Sequence, residues 1–303
     1  DDGVRLEAAL ERFGNDGARL EAALGQFGND GARLEAVLGQ FGDDGARLEA
    51  ALAAFGNDAG RLEAALVAFG NDGARLETAL GQFGNDGARL ERLLRLGINA
   101  VDLELYILMA GGQSEVALLE QLLIKADALG DVRRVEPLLN IASGDAGKFR
   151  ELGDAAQAFP PVRTPVPNPQ PSNLVPTAAD PPGSQAFTGS NTTHFLNEHT
   201  FSFYDFAKTG NQQTFWPPGT TDAHVVQALE QAITAVRASG VPMPAFGFRI
   251  VPIPGVNGVT AVRFGVRPGL GGTFIGQFFP TSGTGILTLL KNELDAIARI
   301  VIP

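Results

Sequence analysis

The sequence predicts two architectures in one chain: an all-α N-terminal solenoid of short helical repeats, followed by a small α+β C-terminal domain with an antiparallel sheet. Three observations predict it. A 14-residue unit recurs from residues 1, 15, 29, 43, 57, 71 and 85 without insertion. Nine prolines then crowd into residues 160–191. Beyond Thr192 the apolar spacing alternates between helical stripes and short strand-like runs divided by glycine turns. A chain of 303 residues has room for about two domains.

The repeat unit reads Asn15-Asp16-Gly17-Ala18-Arg19-Leu20-Glu21-Ala22-Ala23-Leu24-Gly25-Gln26-Phe27-Gly28. Leu20, Ala23, Leu24 and Phe27 fall at i, i+3, i+4 and i+7, one stripe of a helix. Asn15 or Asp16 supplies an N-cap, and Gly28 suits the left-handed position after the helix end. Each unit is therefore expected to be one helix of about ten residues, too short to stand alone and stabilised by stacking on its neighbours. A coiled coil is the rival. Fourteen is two heptads, and Leu6, Leu10, Phe13, Leu20, Leu24 and Phe27 keep an a/d register. That rival puts Gly14-Asn15-Asp16-Gly17 inside a continuous helix, at about 1 kcal/mol per glycine. Separate helices are favoured. The Glu and Arg residues of the units read as solvated helix faces.

Residues 98–159 lose the period but keep helical patterns: Val101 to Met109, Ser114 to Leu129, then 132–142 and 145–158. They read as an irregular continuation and cap of the array. Residues 160–191, with one acidic and one basic side chain, read as an extended, semi-stiff linker. The last domain, 192–303, is expected to fold alone from about residue 190, since it carries its own apolar set.

In that domain a short helix is expected over 193–206 and a loop over Phe215-Trp216-Pro217-Pro218-Gly219. Thr220 or Thr221 with Asp222 caps a helix over 222–238, whose Val225, Val226, Leu229, Ile233 and Val236 share helical spacing. Strands follow at Phe246–Ile253, Val259–Val266 and Thr273–Phe279, the first two joined by Asn257-Gly258, a type I′ hairpin signal. That turn places Val251, Ile253, Val262, Phe264 and Val266 on one face, and Arg263 and Arg267 on the other. A final helix over 284–299 is expected to start at Thr281-Ser282-Gly283-Thr284-Gly285, either an ordinary cap or an anion site.

Composition removes several classes of function. Residues 1–159 hold 15 Lys+Arg against 27 Asp+Glu, whereas 192–303 hold 7 against 6, without the basic excess of a duplex-DNA binder. Cysteine is absent, which removes disulfides, thiol nucleophiles and Cys-type zinc sites. No run of 18 apolar residues predicts a membrane span, and no signal peptide is seen. Because Asp1-Asp2-Gly3 already lies within a repeat unit, the chain is expected to be part of something longer.

All three histidines fall within 31 residues: His194, His199 and His224. Two imidazoles close together can supply an acid and a base near neutral pH. Glu198 beside them suggests a metallopeptidase helix only superficially, since a five-residue spacing turns the second histidine about 140° away. Neither metal nor cofactor is therefore expected. Metal-free acid/base cleavage of RNA is the leading expectation. The competing class is a non-enzymatic repeat scaffold with a C-terminal adhesion or assembly module, in which both histidines are incidental.

The last 110 or so residues resemble the C-terminal ribonuclease domains of bacterial polymorphic toxins. The spacing His194-x4-His199 is similar to the His-Thr-x-x-x-His opening of the RNase A-like domains of contact-dependent inhibition toxins. Gln213-Thr214-Phe215-Trp216-Pro217-Pro218-Gly219-Thr220-Thr221 and Gly272-Thr273-Phe274-Ile275-Gly276-Gln277-Phe278-Phe279-Pro280-Thr281 resemble bacterial EndoU-like toxins. Where those families place Thr and Tyr before the final Pro, this sequence has Gln277 and Phe279. Lys208 stands where a cation is expected past the second histidine. The resemblance implies an endoribonuclease with His199 as base, its pKa lowered by Lys208, and His194 as acid. Lys208 and Thr281 would complete the catalytic set, with Ser282, Arg263, Arg267 and Gln277 binding substrate. It also implies an RNA substrate, a cognate immunity protein, and delivery or secretion machinery engaging the repeats. The site of action would be a target cell's cytoplasm.

Overall fold

The computed structural model describes residues 2–160, 166–182, 184–201, 204, 211–269 and 272–302, leaving out the side chains of 2–6. The chain divides into two units, Asp1–Arg150 and Glu151–Pro303.

Unit 1 is a run of short helices, one per repeat: α1 (Asp2–Arg12), α2 (Gly17–Gln26), α3 (Gly31–Gln40), α4 (Gly45–Ala54), α5 (Ala59–Ala68), α6 (Gly73–Gln82) and α7 (Gly87–Arg95). The break between helices has the same cause each time. Phe27 ends α2, then Gly28 (φ 66°) and Asn29 (φ 61°) both turn left-handed. Asp30 returns to extended geometry and accepts the amide hydrogens of Ala32 and Arg33. Asparagine tolerates the left-handed turn and aspartate caps the next helix, so the two residues divide the work. These interruptions exclude a continuous coiled coil.

Phe27, Phe41, Phe55 and Phe69 are fully buried, as are Leu48 and Leu62. Helices three apart in sequence touch directly. A Cβ placed on Gly73 would lie 2.2 Å from the Gln40 carbonyl oxygen, so α6 starts against the end of α3. Ion pairs join helices two apart: Arg19–Glu49, Arg33–Glu63, Arg47–Glu77 and Arg61–Glu91, continued by Arg75–Glu104 and Arg89–Glu120. The Arg and Glu faces are thus paired rather than merely solvated. Solvent screens these exposed pairs, so the buried Leu/Phe stripe carries most of the stability.

The irregular helices fall where the sequence places them: α8 (Ala100–Ala110), α9 (Val116–Asp127), α10 (Glu136–Ala142) and α11 (Ala146–Ala158). Among the described residues no single helix is long and apolar enough to cross a membrane. Ala100–Ala110 with Gln113–Asp127 reach that length only jointly, with a 95° bend.

Unit 2 is α+β. Its elements are α12 (Thr192–His199), β1 (Gln212–Phe215), α13 (Asp222–Ala238), β2 (Gly247–Val256), β3 (Val259–Gly269), β4 (Gly272–Gly283), β5 (Leu287–Leu290) and α14 (Lys291–Val301). Strands β2, β3 and β4 form an antiparallel sheet, and β1 pairs antiparallel with β5 in a second. Asn257 (φ 46°) and Gly258 (φ 84°) make the expected hairpin turn. It sets Val251 opposite Val262, and the Val251, Ile253, Val262, Phe264 and Val266 side chains are buried in the core shared with α13.

Four expectations change. The helix around the histidines ends at His199, where Thr200 turns extended. Phe215, expected in a loop, ends β1. The final helix starts at Lys291, because Thr281 and Ser282 continue β4 and Leu287–Leu290 is drawn into pairing with β1. No helix N-terminus therefore stands at 281–285.

The proline-rich stretch is the fourth. Its described residues pack into unit 2 instead of linking to it. Phe187 is 2% exposed within the core. Arg237, 4% exposed, donates to the carbonyl oxygens of Leu174 and Gln185 and lies 3.7 Å from Asp180. Ser190 bridges to Ile275 of β4. An extended chain has no internal hydrogen bonds, and a buried arginine needs acceptors; each supplies what the other lacks.

Candidate functional site

Helix α12 is anchored by its apolar side. Phe195 and Leu196 are fully buried, with the Phe195 ring 5.8 Å from Phe278 of β4. Its end is held on the other flank. The Trp216 amide donates to the His199 carbonyl at 2.8 Å, and Thr200 Oγ1 donates to the Leu196 carbonyl at 2.7 Å. The last turn of α12 is thereby clamped between β1 and β4.

A cleft of about 220 Å³ opens there, lined by His194, Glu198, His199, Gln212, Gln213, Thr214 and Gln277–Phe279. Both histidines reach it despite their angular separation, because the cleft wraps the final turn of the helix.

The two imidazoles sit in different surroundings. His199 is 8% exposed and packs against Phe279, ring centroids 4.9 Å apart. Its Nδ1 lies 2.7 Å from the Thr214 carbonyl oxygen. A carbonyl only accepts, so Nδ1 carries the proton and Nε2 of the neutral ring keeps its lone pair. Burial pushes the His199 pKa down to about 4; the Thr214 carbonyl opposes this and the charge of His194 adds to it. His194 is more exposed, and its Nδ1 lies 3.1 Å from Glu198 Oε1. One turn of helix separates that pair, the spacing at which side chains meet.

The other sequence candidates divide. Gln277 lines the cleft. Arg263 does not, but its guanidinium carbon lies 5.5 Å from the Phe279 ring. Arg267 stacks over Phe274 at 5.3 Å, farther along the sheet. Thr281 and Ser282 are exposed at the end of β4 and line no part of the cleft, because the strand carries them past it. Lys208 lies outside the described residues. His199 needs no lysine for its lowered pKa, since burial supplies the largest effect. His224 is a helix cap: its backbone amide donates to Thr221 Oγ1 and its Nδ1 accepts from the Thr221 amide.

Thr214, Gln212, Gln213 and Phe279 form walls that sequence reasoning missed. Glu198 was noticed only as part of a discarded metal motif. The alternation in Gln212–Phe215 was the available signal for β1, but four residues are too few to stand out. Among the described residues no three His, Asp or Glu side chains gather around a point that could hold an ion.

Comparison with protein-family models, with curated proteins and with solved structures finds no match to this chain.

Proposed function

We propose that unit 2 cleaves RNA by metal-independent acid/base catalysis in the α12 cleft, and that the helical repeats form a solenoid carrying it. The observation that supports this most is the pair of unlike histidines in one cleft: His199 with a proton fixed on Nδ1, His194 beside a carboxylate. In this reading His199 Nε2 takes the proton of a 2′-hydroxyl, and the 2′-oxygen attacks the adjacent phosphorus. The 5′-oxygen leaves with a proton from His194. The products are a 2′,3′-cyclic phosphate and a 5′-hydroxyl. Glu198 positions His194, and the Gln277 amide holds a phosphate oxygen. Thr281 and Ser282 have no part in it.

The resemblance to polymorphic-toxin ribonuclease domains supports the same reading. It extends to a delivered effector acting in a target-cell cytoplasm, an immunity protein as partner, and delivery machinery engaging the repeats.

One observation favours a second reading. At 8% exposure, His199 also serves as a pin between α12 and β1, which suits a non-enzymatic assembly module. The pH–rate profile of the full chain on RNA in excess EDTA separates the two. Catalysis gives a bell whose acid limb lies near pH 4, the His199 value, and replacing His194 by Ala lowers the rate about 10²–10⁴-fold. A chain that leaves RNA intact throughout that range is a binding module.

A further inference from the structure

Next to the cleft, the solvent face of the β2–β3–β4 sheet alternates aromatic rings and cations. Strand pairing sets Arg263 opposite Phe279 and Arg267 opposite Phe274. The Arg263 guanidinium carbon lies 3.5 Å from the Phe248 ring centroid and 5.5 Å from that of Phe279. Arg267 lies 5.3 Å from Phe274. It can lie flat because its neighbour on β4 is Gly276, where a Cβ would come within 3.0 Å of Arg267 Cδ.

This face is costly to leave bare. Phe248 is 52% exposed and Ile250, on the same strand, 53%. Exposed apolar groups gathered in one place mark a binding surface. Charge indicates what binds. The charges shown on this face are those of Arg263 and Arg267, and residues 247–283, which include all three strands, hold no Asp or Glu. Among the described residues neither Arg263 nor Arg267 has a carboxylate partner, and Arg263 Nε is buried with no hydrogen-bond partner.

A ligand that suits stacked rings and unpaired guanidinium groups together offers flat π-faces joined by anions. Single-stranded nucleic acid does so, because its bases are free to stack while its phosphates take the arginines. A duplex hides its base faces. An apolar protein segment leaves the arginines unanswered. The face is also continuous with the cleft, since the Phe279 ring beside Arg263 is the one packed 4.9 Å from His199.

We infer that this sheet face is a binding track for single-stranded RNA, with bases stacked on Phe248 and Phe274 and phosphates on Arg263 and Arg267, leading past Phe279 into the cleft. The substrate class rests on the ribonuclease reading of that cleft; the stacking surface does not.

The test uses the full chain and a labelled, uncleavable 2′-O-methyl oligoribonucleotide, single-stranded or annealed to its complement, read by fluorescence anisotropy. The single strand should bind more tightly than the duplex. Phe248→Ala should weaken single-strand binding by about 5–150-fold, the worth of one lost base stack. Arg267→Gln should weaken it too and flatten its salt dependence. Both side chains are exposed, so an unchanged thermal midpoint shows that the variants fold. On cleavable RNA, Phe248→Ala should raise KM and leave kcat alone. Binding without any cleavage upholds the track and sinks the ribonuclease reading. Cleavage with neither affinity nor KM moved by Phe248→Ala overturns the track and leaves the cleft standing. Equal affinity for single strand and duplex overturns it, as does a Phe248→Ala effect confined to self-association of the chain in sedimentation.

Discussion

Protonating His199 should destabilise unit 2, and the size of the effect follows from its surroundings. The imidazole is 8% exposed, its Nδ1–H is committed to the Thr214 carbonyl, and its pKa falls from an ordinary 6.5 to about 4. In the unfolded chain the ring binds a proton below pH 6.5, whereas the folded protein refuses one until about pH 4. Between those values the unfolded state holds more protons, so stability rises with pH and is lost as pH falls through the window. At about 1.36 kcal/mol per pH unit, this one group removes about 3 kcal/mol between pH 7 and pH 4. Trp216, fully buried and the sole tryptophan, reports on unit 2. Urea titrations followed by its fluorescence, at pH steps from 7 to 4, give the slope. His199→Asn keeps a donor for Thr214 but cannot titrate. Carboxylates titrate alike in both proteins, so the difference between their slopes isolates the histidine. Parallel slopes, or an NMR titration placing His199 near 6.5, would refute the reasoning.

Glycine substitutions in the array should diverge in sign. Gly39→Ala, in open space within α3, should stabilise by about 0.5–1 kcal/mol, whereas Gly73→Ala should destabilise, its Cβ falling 2.2 Å from the Gln40 carbonyl oxygen; thermal midpoints of the two variants decide it. A fragment spanning 190–303 should melt far below one spanning 151–303, or not cooperatively. It lacks Phe187, worth about 2–3 kcal/mol of burial, and leaves the 4% exposed Arg237 without its acceptors. Calorimetry showing equal midpoints would mean that the proline-rich segment contributes nothing.

The parts legible in the sequence are those whose causes are local. A 14-residue period with Phe-Gly ends dictates separate helices, and Asn257-Gly258 dictates a hairpin and hence which strand residues are buried. What stayed hidden depends on distant partners. Strand β1 exists only because Leu287–Leu290 pairs with it from across the domain, and that pairing also delays α14 to Lys291. The proline-rich segment looks like a linker because its composition is extended, and distant partners draw it in: the buried, acceptor-seeking Arg237 and the core that takes Phe187. The histidine pair was visible as spacing. That His199 is buried, neutral and bonded to Thr214 was not, since nothing near it in sequence supplies the carbonyl or the Phe279 ring.

Cleavage through the 2′-hydroxyl is the central claim, and one substrate tests it directly. A short single-stranded RNA is compared with its twin carrying one 2′-deoxyribose at the mapped cut, both incubated with the full chain in excess EDTA and resolved by mass spectrometry. The expected result is a 2′,3′-cyclic phosphate end from the all-ribose strand, none from the deoxy twin at that position, and loss of the product with His199→Ala. Equal cutting of both strands, or a product that appears only when a divalent ion is restored, would contradict it.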